Sequence, residues 1–473
     1  MTAKSSKTDE TPGRRPVSIV LLAAAMLVVI GVFAAVFFLR SRDAGRFNIV
    51  LITFDTTRAD RLGCYGYPKS TSATTDALAA DAARFTFAVA QAAVTNVSHA
   101  SILTGLNPPR HGCRVFHGTT HNTLRPENTT LAEVLGENGY TTGAFISAFP
   151  VARYFGMDQG FETFDQEFQS SDGAGLVDQY GFVNTGLSQR RADATTDAAI
   201  RWLKKSDAPH FLWVHYFDPH DPVMRPPDRI VRMFPPKEHT TAGTLDATYD
   251  AEVYYMDQQL DRLFAAVKES GQWDRTVVVL TADHGEGLGD HNWWTHGILY
   301  QEQIHVPLII RVPGKFKAAR IDALVRSIDI MPTVLELAGI DQSLWPDMDG
   351  YSLVPLLRGE PDEPASFAYA DSTNIIIYAP TLGMQDEKLD RLFCTMDRQW
   401  KLIVHQLKGE NSELYNLADD PRERTNLIEQ EPEQRKRLTA LFDQVGARLK
   451  FVPTTQGTPP EVLKKLRTLG YTK

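Results

Sequence analysis

The run Thr276-Val-Val-Val-Leu-Thr-Ala-Asp-His-Gly-Glu-Gly-Leu-Gly-Asp-His291 constrains this chain more than any other stretch. Its first seven residues are apolar or β-branched with no polar alternation, the pattern of a strand buried on both faces of a parallel sheet. The run stops at Asp283-His284, and Gly285, Gly287 and Gly289 are expected to let the backbone turn close to a ligand. Open α/β sheets hold metals and substrates outside the carboxyl ends of their strands, where a carboxylate beside an imidazole can serve as a ligand pair. A second run, Phe47-Asn-Ile-Val-Leu-Ile-Thr-Phe-Asp55, repeats the design, a buried-strand pattern ending on a carboxylate. The expectation is one site shared by two strand ends.

Elsewhere apolar runs alternate with helical periodicity. Strands are expected at 47–54, 141–147, 210–216, 276–282 and 306–312, with helices at 74–84, 131–138, 189–205 and 247–270. Residues 328–339 read as a helix with a glycine stop. This alternation predicts an α/β fold, a doubly wound and mostly parallel sheet. Beyond it, the short strands 391–396 and 400–405 lie close together, which predicts a smaller C-terminal antiparallel α+β subdomain. The expected division is a tail at 1–15, an anchor at 16–39, a catalytic domain at 47–345 and a C-terminal subdomain at 346–473.

Residues 16–39 carry no charge and are almost wholly apolar. At about 1.5 Å per residue such a run crosses a hydrocarbon core of roughly 30 Å. A cleavable signal peptide has an apolar stretch of only about 7–15 residues and a small-x-small end. This run is longer and ends Val-Phe-Phe-Leu-Arg40, so it reads as an uncleaved transmembrane anchor. Lys4, Lys7, Arg14 and Arg15 before the span set the tail inside the cytoplasm, against Arg40, Arg42 and Arg46 after it. The net charge of −9 argues against nucleic acid as a partner. Cys64, Cys113 and Cys394 have no metal-ligand spacing and read as buried free thiols. Asn96-Val-Ser98 and Asn128-Thr-Thr130 match the glycosylation sequon, the first inside the third key segment, and both are taken as chance.

That segment is Thr95-Asn-Val-Ser-His-Ala-Ser-Ile-Leu-Thr-Gly105. Here the chain resembles the sulfatase family, within the wider alkaline-phosphatase superfamily, whose motif is C/S-x-P-S-R-x-x-x-x-T-G with the first residue converted to formylglycine. Asp55-Thr-Thr-Arg-Ala-Asp-Arg-Leu-Gly-Cys-Tyr-Gly-Tyr67, His215-Tyr-Phe-Asp-Pro-His220, Asp283-His-Gly-Glu286 and His296-Gly297 extend the resemblance. So do Val306-Pro-Leu-Ile-Ile-Arg-Val-Pro-Gly314 and Glu413-Leu-Tyr-Asn-Leu-Ala-Asp-Asp-Pro421. It covers about residues 47–430 and implies an extracytoplasmic domain with one or two divalent metals that cleaves a sulfate or phosphate ester; with the apolar run at 16–39 the expectation is a single-pass cell-membrane protein.

The departures matter as much. Thr95 stands at the modifiable position, so no formylglycine is expected. Val97 replaces the proline, His99 the arginine, and Thr56 a second metal-binding aspartate. Gly143-Ala-Phe-Ile-Ser147 stands where many sulfatases have Gly-Lys-Trp-His. The superfamily's phosphodiesterase and phosphoethanolamine-transferase branches use a threonine nucleophile. A phosphothreonine can be discharged by water at phosphorus, whereas alkyl sulfates hydrolyse slowly, so Thr95 tilts the expectation toward phosphate esters. Asp55, Asp283, His284 and the Thr95 oxygen are the expected ligands of a divalent cation. A histidine nitrogen with two carboxylates favours zinc or manganese, while calcium, whose sites are nearly all oxygen, is also open. His220 and His296 are expected to steady the anion or protonate the leaving group, and His99 to hold Thr95 or the substrate. Each has a plainer reading: Asp55, Asp283 and Thr95 as helix caps, with a helix beginning near Ser98, and the histidines as packing or loop residues. Asp218 could orient His220 or bind a second metal, and Asp290-His291 resemble family positions but could be plain loop contacts. The substrate would be a small-molecule, glycan or lipid ester. Alternatives are an arylsulfatase-type enzyme, a phosphoryl transferase acting beside the membrane, and an inactive binding protein that has kept its pocket.

Overall fold

The computed structural model describes residues 45–117, 120–168, 188–206, 209–220, 224–238, 240–361, 367–372, 390–446, 459–462 and 465. The expected anchor at 16–39 lies outside them, and among the described residues no helix is long and apolar enough to cross a membrane. Residues Phe47–Lys473 form one unit.

The strands are β1 (Asn48–Phe54), β2 (Ala83–Val89), β3 (Arg114–His117), β4 (Thr120–Asn122), β5 (Thr141–Ile146), β6 (Thr163–Asp165) and β7 (His210–Tyr216). They continue with β8 (Thr276–Ala282), β9 (His305–Arg311), β10 (Ala319–Arg326), β11 (Ala368–Ser372), β12 (Leu392–Met396), β13 (Trp400–His405) and β14 (Glu413–Asn416). The principal helices are α1 (Ala73–Ala80), α2 (Thr95–Thr104), α3 (Leu131–Glu137), α4 (Ala192–Leu203), α5 (Thr241–Glu269), α6 (Ile330–Leu337) and α7 (Pro432–Gly446). Eight strands make the large sheet in the order β10-β2-β9-β8-β1-β7-β5-β6. β9 runs antiparallel to both its neighbours and every other pair is parallel.

Composition explains the centre. β1, β7 and β8 are buried at every residue, as their unbroken apolar runs require of strands covered on both faces. Removing a Val, Leu or Ile side chain from water contributes about 1.5–3 kcal/mol, so these three strands hold much of the fold's driving force. Phe54 of β1 lies beside both Tyr216 of β7 and Ala282 of β8. The residues that follow these strands therefore emerge together at the middle of the sheet.

β11 to β14 form the expected small antiparallel sheet, in sequence order. α7 covers it, with Leu438 packed among Trp400, Leu402 and Leu414. The two sheets are joined: the Asp371 amide donates to the Gln91 carbonyl, and Ser372 Oγ donates to that of Gly297. Leu353, Val354 and Leu357 still pack in the core of the large sheet.

Three expectations need correction. The helix placed at 74–84 ends at Ala80, and β2 begins at Ala83. Arg84 and Thr86 break its apolar run, so it lacks the continuous signature of the central strands. β10 was not anticipated either: its first half is exposed and charged, and its partner β2 lies more than two hundred residues earlier. α5 starts at Thr241 rather than 247, because Thr240 Oγ1 caps it by accepting the Gly243 amide at 3.1 Å. Gly243, a breaker by propensity, is needed there, since a Cβ would sit 2.4 Å from the Glu238 carbonyl oxygen. Cys64, Cys113 and Cys394 are all free thiols.

Candidate active site

Asp55 leaves β1 and Asp283 leaves β8, so the register of the central strands sets the two carboxylates side by side. Both are completely buried. The Asp283 Oδ1 atom accepts the amides of Thr56 at 3.1 Å and His284 at 2.7 Å. Its Oδ2 atom and the Oδ1 atom of Asp55 have no hydrogen-bond partner. The second Asp55 oxygen, Oδ2, accepts from His215 Nε2 at 3.0 Å. Burial holds both carboxyls well above the usual carboxylate range, and for Asp283 the charge of Asp55 adds to the effect.

Thr95 is the first residue of α2, and every residue of that helix is buried. The expected helix start near Ser98 is thus three residues late. Thr95 is not the cap, because Val94 holds that position with no side-chain bond. The Thr95 Oγ1 atom lies 3.3 Å from His284 Nε2. His284 Nδ1 is 2.9 Å from the Gly285 carbonyl, to which only a protonated nitrogen can donate. The imidazole is neutral, held well below its ordinary pKa by burial. Its Nε2 lone pair therefore faces the Thr95 hydroxyl and is available to a cation. One donor atom from each of Asp55, Asp283 and His284 lies within 4.8 Å of the others. One orphan oxygen on each of two buried carboxylates and an imidazole lone pair form a donor set that a divalent cation would satisfy.

The other histidines divide. The His296 Nδ1 atom donates to the Ala93 carbonyl at 2.9 Å, and its Nε2 lies 3.2 Å from that of His220. The His296 ring is 4.5 Å from that of His284, centroid to centroid, so His284, His296 and His220 stand in a row. Burial lowers the pKa of both, that of His296 to about 4. His99 is placed differently. Its Nδ1 donates to the Thr95 carbonyl at 2.8 Å, and its Nε2 accepts from Thr53 Oγ1 at 3.0 Å. Both nitrogens are engaged with protein, so His99 braces the start of α2 instead of facing a substrate.

Asp218 departs from both of its sequence readings, whereas Asp290 and His291 make the loop contacts that were one of theirs. Asp218 neither orients His220 nor joins the acidic pair; it accepts the Ala192 amide at 3.0 Å, at the start of α4. Asp290 pairs with Arg58 at 2.9 Å, and His291 bonds Glu302 at 2.9 Å while stacking on Tyr300. These residues line a separate cavity of about 750 Å³ that includes none of the Asp55, Asp283 and His284 group. The glycines after Asp283 bring the backbone close to protein: a Cβ on Gly285 would lie 2.0 Å from the Glu302 carbonyl oxygen, and one on Gly287 2.2 Å from that of Trp293. Thr56, at the position of the missing second aspartate, has φ of 48°, an unusual conformation for a β-branched residue. It contributes its amide to Asp283 where many sulfatases would place a carboxylate.

His215 was not singled out from the sequence. The signal was there: it sits one residue before the end of β7, paired in register with Thr53 of β1. Its neutral ring, lowered to a pKa of about 3 by burial, donates from Nε2 to Asp55. Ser147, where the family has its Gly-Lys-Trp-His segment, gives its amide to His215 Nδ1 at 3.4 Å.

A family model described as sulfatase matches residues 47–340. A second, described as N-sulphoglucosamine sulphohydrolase, C-terminal, matches 289–447. Among curated relatives, an arylsulfatase of Clostridium perfringens is 25% identical over 81% of this chain and 90% of its own length. Human arylsulfatase A is 27% identical over 80% and 83%. Among solved structures, the phosphonate monoester hydrolase of Agrobacterium radiobacter aligns with a TM-score of 0.68 at 24% identity, covering 86% of this chain and 96% of that one. That last likeness is one of fold.

Proposed function

Because the chain belongs to the sulfatase family and is an ester hydrolase of it, we propose that it is a membrane-anchored, metal-dependent enzyme working outside the cytoplasm, with Thr95 as nucleophile on a phosphate or sulfate ester. The observation that carries this reading is the Thr95 hydroxyl, 3.3 Å from an unprotonated His284 nitrogen beside two buried carboxylates. Asp55, Asp283, His284 and Thr95 Oγ1 would hold the cation, with zinc or manganese favoured by the nitrogen ligand. A bound divalent ion lowers the pKa of a hydroxyl and polarises the ester.

The residues then have separate tasks. His99 and Thr53 fix the main chain of Thr95 so that its hydroxyl faces the carboxylates. Attack by Thr95 Oγ1 forms an oxygen–phosphorus bond as the bond to the leaving oxygen breaks, and the hydroxyl proton passes to the His220–His296 pair. The His220–His296 pair supplies the proton that the leaving oxygen takes up, and an arriving anion raises the pair's affinity for that proton. Water then attacks phosphorus, and its proton passes by way of the pair to the departing Thr95 oxygen, which restores the hydroxyl. Threonine favours phosphate or phosphonate over sulfate, because the covalent phosphothreonine is discharged at phosphorus. Curated relatives carry arylsulfatase, N-acetylglucosamine-6-O-sulfatase and choline-sulfatase names, so sulfate esters belong in the same assay.

The test is turnover of aryl sulfate, phosphate monoester, phosphodiester and phosphonate monoester by the full-length chain in detergent. Thr95→Ala should lose several orders of magnitude, as removal of a nucleophile does, and Thr95→Ser should retain part of the rate. Mass spectrometry of protein quenched with a slow phosphoester should place the adduct on residue 95. A fully active Thr95→Ala variant, or an adduct elsewhere, ends the threonine mechanism.

A further inference from the structure

Asn96 is the second residue of α2, next to Thr95, and is only 1% exposed. Neither its Nδ2 nor its Oδ1 has a hydrogen-bond partner. Leaving a buried amide unsatisfied costs a folding equilibrium about one to two powers of ten, so such a group calls for an explanation. The rest of the first turn does not share the defect. Val97 packs in the core, Ser98 Oγ donates to the Asp283 carbonyl at 2.6 Å, and His99 is satisfied at both nitrogens.

Direction follows from helix geometry. Side chains of an α-helix tilt toward its amino terminus, so the carboxamide of Asn96 lies at the same end of α2 as the Thr95 hydroxyl. Main-chain amides at a helix start favour an anion. A glycan on Nδ2 is excluded by burial, so the sequon at Asn96 carries no modification. Asn128 is buried too, and its Nδ2 donates to the His111 carbonyl at 2.8 Å.

We propose that Asn96 is a substrate-contacting residue, donating from Nδ2 to a non-bridging oxygen of the tetrahedral oxyanion seated against Thr95. The inference rests on Thr95 being the point of attack. It assigns Asn96 to the part of the substrate that sulfate, phosphate and phosphonate share, and not to the leaving group. The orphan amide is then a cost borne by the empty site and relieved by the ligand.

The experiment uses the metal-loaded full chain in detergent, with orthovanadate and inorganic phosphate as probes and dissociation constants from calorimetry. Asn96→Ala should bind both about 10–100-fold more weakly, the loss expected for a buried donor to an anion. Asn96→Asp, which keeps the shape but sets an acceptor and a negative charge in place of the donor, should abolish binding. The thermal midpoint of metal-free Asn96→Ala should equal or exceed that of the parent, because the variant sheds an unsatisfied group. Unchanged oxyanion affinity in both variants overturns the proposal. So does a lowered metal-free midpoint, or failure to fold, in Asn96→Ala, either of which makes Asn96 a structural residue. Thr95→Ala, titrated alongside, separates the two claims: normal turnover there defeats the nucleophile while the Asn96 affinities still decide the oxyanion contact.

Discussion

His215 shows how much of this site depends on a residue that would never touch the substrate. In the proposed metal site Asp55 would aim one oxygen at the cation, and His215 occupies the other at 3.0 Å. Partners of this kind fix the orientation of a metal ligand, and their loss typically costs about 10–100-fold in metal affinity. His215→Phe keeps a ring beside Trp213 and Phe217 but removes the donor. Competition with a chromogenic chelator should show zinc or manganese bound 10–100-fold more weakly, a range taken from such partners generally. Equal affinity in variant and parent would mean that Asp55 is positioned by its strand alone. His99 works in the same way on Thr95, through the main chain, which explains how an imidazole serves at the family's arginine position without reaching the ligand.

At the scale of elements, the site is a meeting of helix starts and strand ends. α2 presents Thr95 in its first turn, and α4 is held at its start by Asp218. Burial pushes that carboxyl up to about 7 from an ordinary value of 3.8. A group that binds its proton more tightly when folded adds stability that is fully present below the unfolded pKa. That contribution is lost as pH rises through the folded value. The protein should therefore lose stability from about pH 4 to about pH 7 on this account, by an amount on the order of a few kcal/mol. Asp218→Asn still offers an oxygen to the Ala192 amide and has no proton to release. Urea midpoints at pH 5 and pH 8 should differ less in the variant than in the parent, and an identical pH dependence in both would remove Asp218 as the cause.

For the molecule as a whole, the proposed anchor would place the catalytic unit on the outer side of a membrane. The uncharged run at 16–39 and the basic residues ahead of it give the expectation of an external domain. Intact cells treated with protease should lose the domain, and salt-washed membranes should retain it. Protection until the inner membrane is permeabilised would reverse the topology, and release by salt would remove the anchor. The acidic pair makes a related demand, since a fold that buries two carboxylates beside each other is suited to a cation that binds only the folded state.

The central strands could be read directly from the sequence, because a strand buried on both faces must be apolar throughout. β7, β8 and β13 fall at the residues expected of them, and the carboxylates that end β1 and β8 were legible for the same reason. Sequence also placed Thr95, since the motif around it is local. β2 and β10 escaped because edge and near-edge strands carry charge and polar breaks, and their pairing spans distant parts of the chain. The roles of individual histidines escaped too. Whether an imidazole faces a ligand, a carboxylate or a main-chain carbonyl depends on which strands lie side by side. Register put His215 against Asp55, and tertiary packing set His99 on Thr53 and Asp218 under α4. Chain order alone does not contain those distances: they arise when non-local strands pair and fix the direction of each side chain.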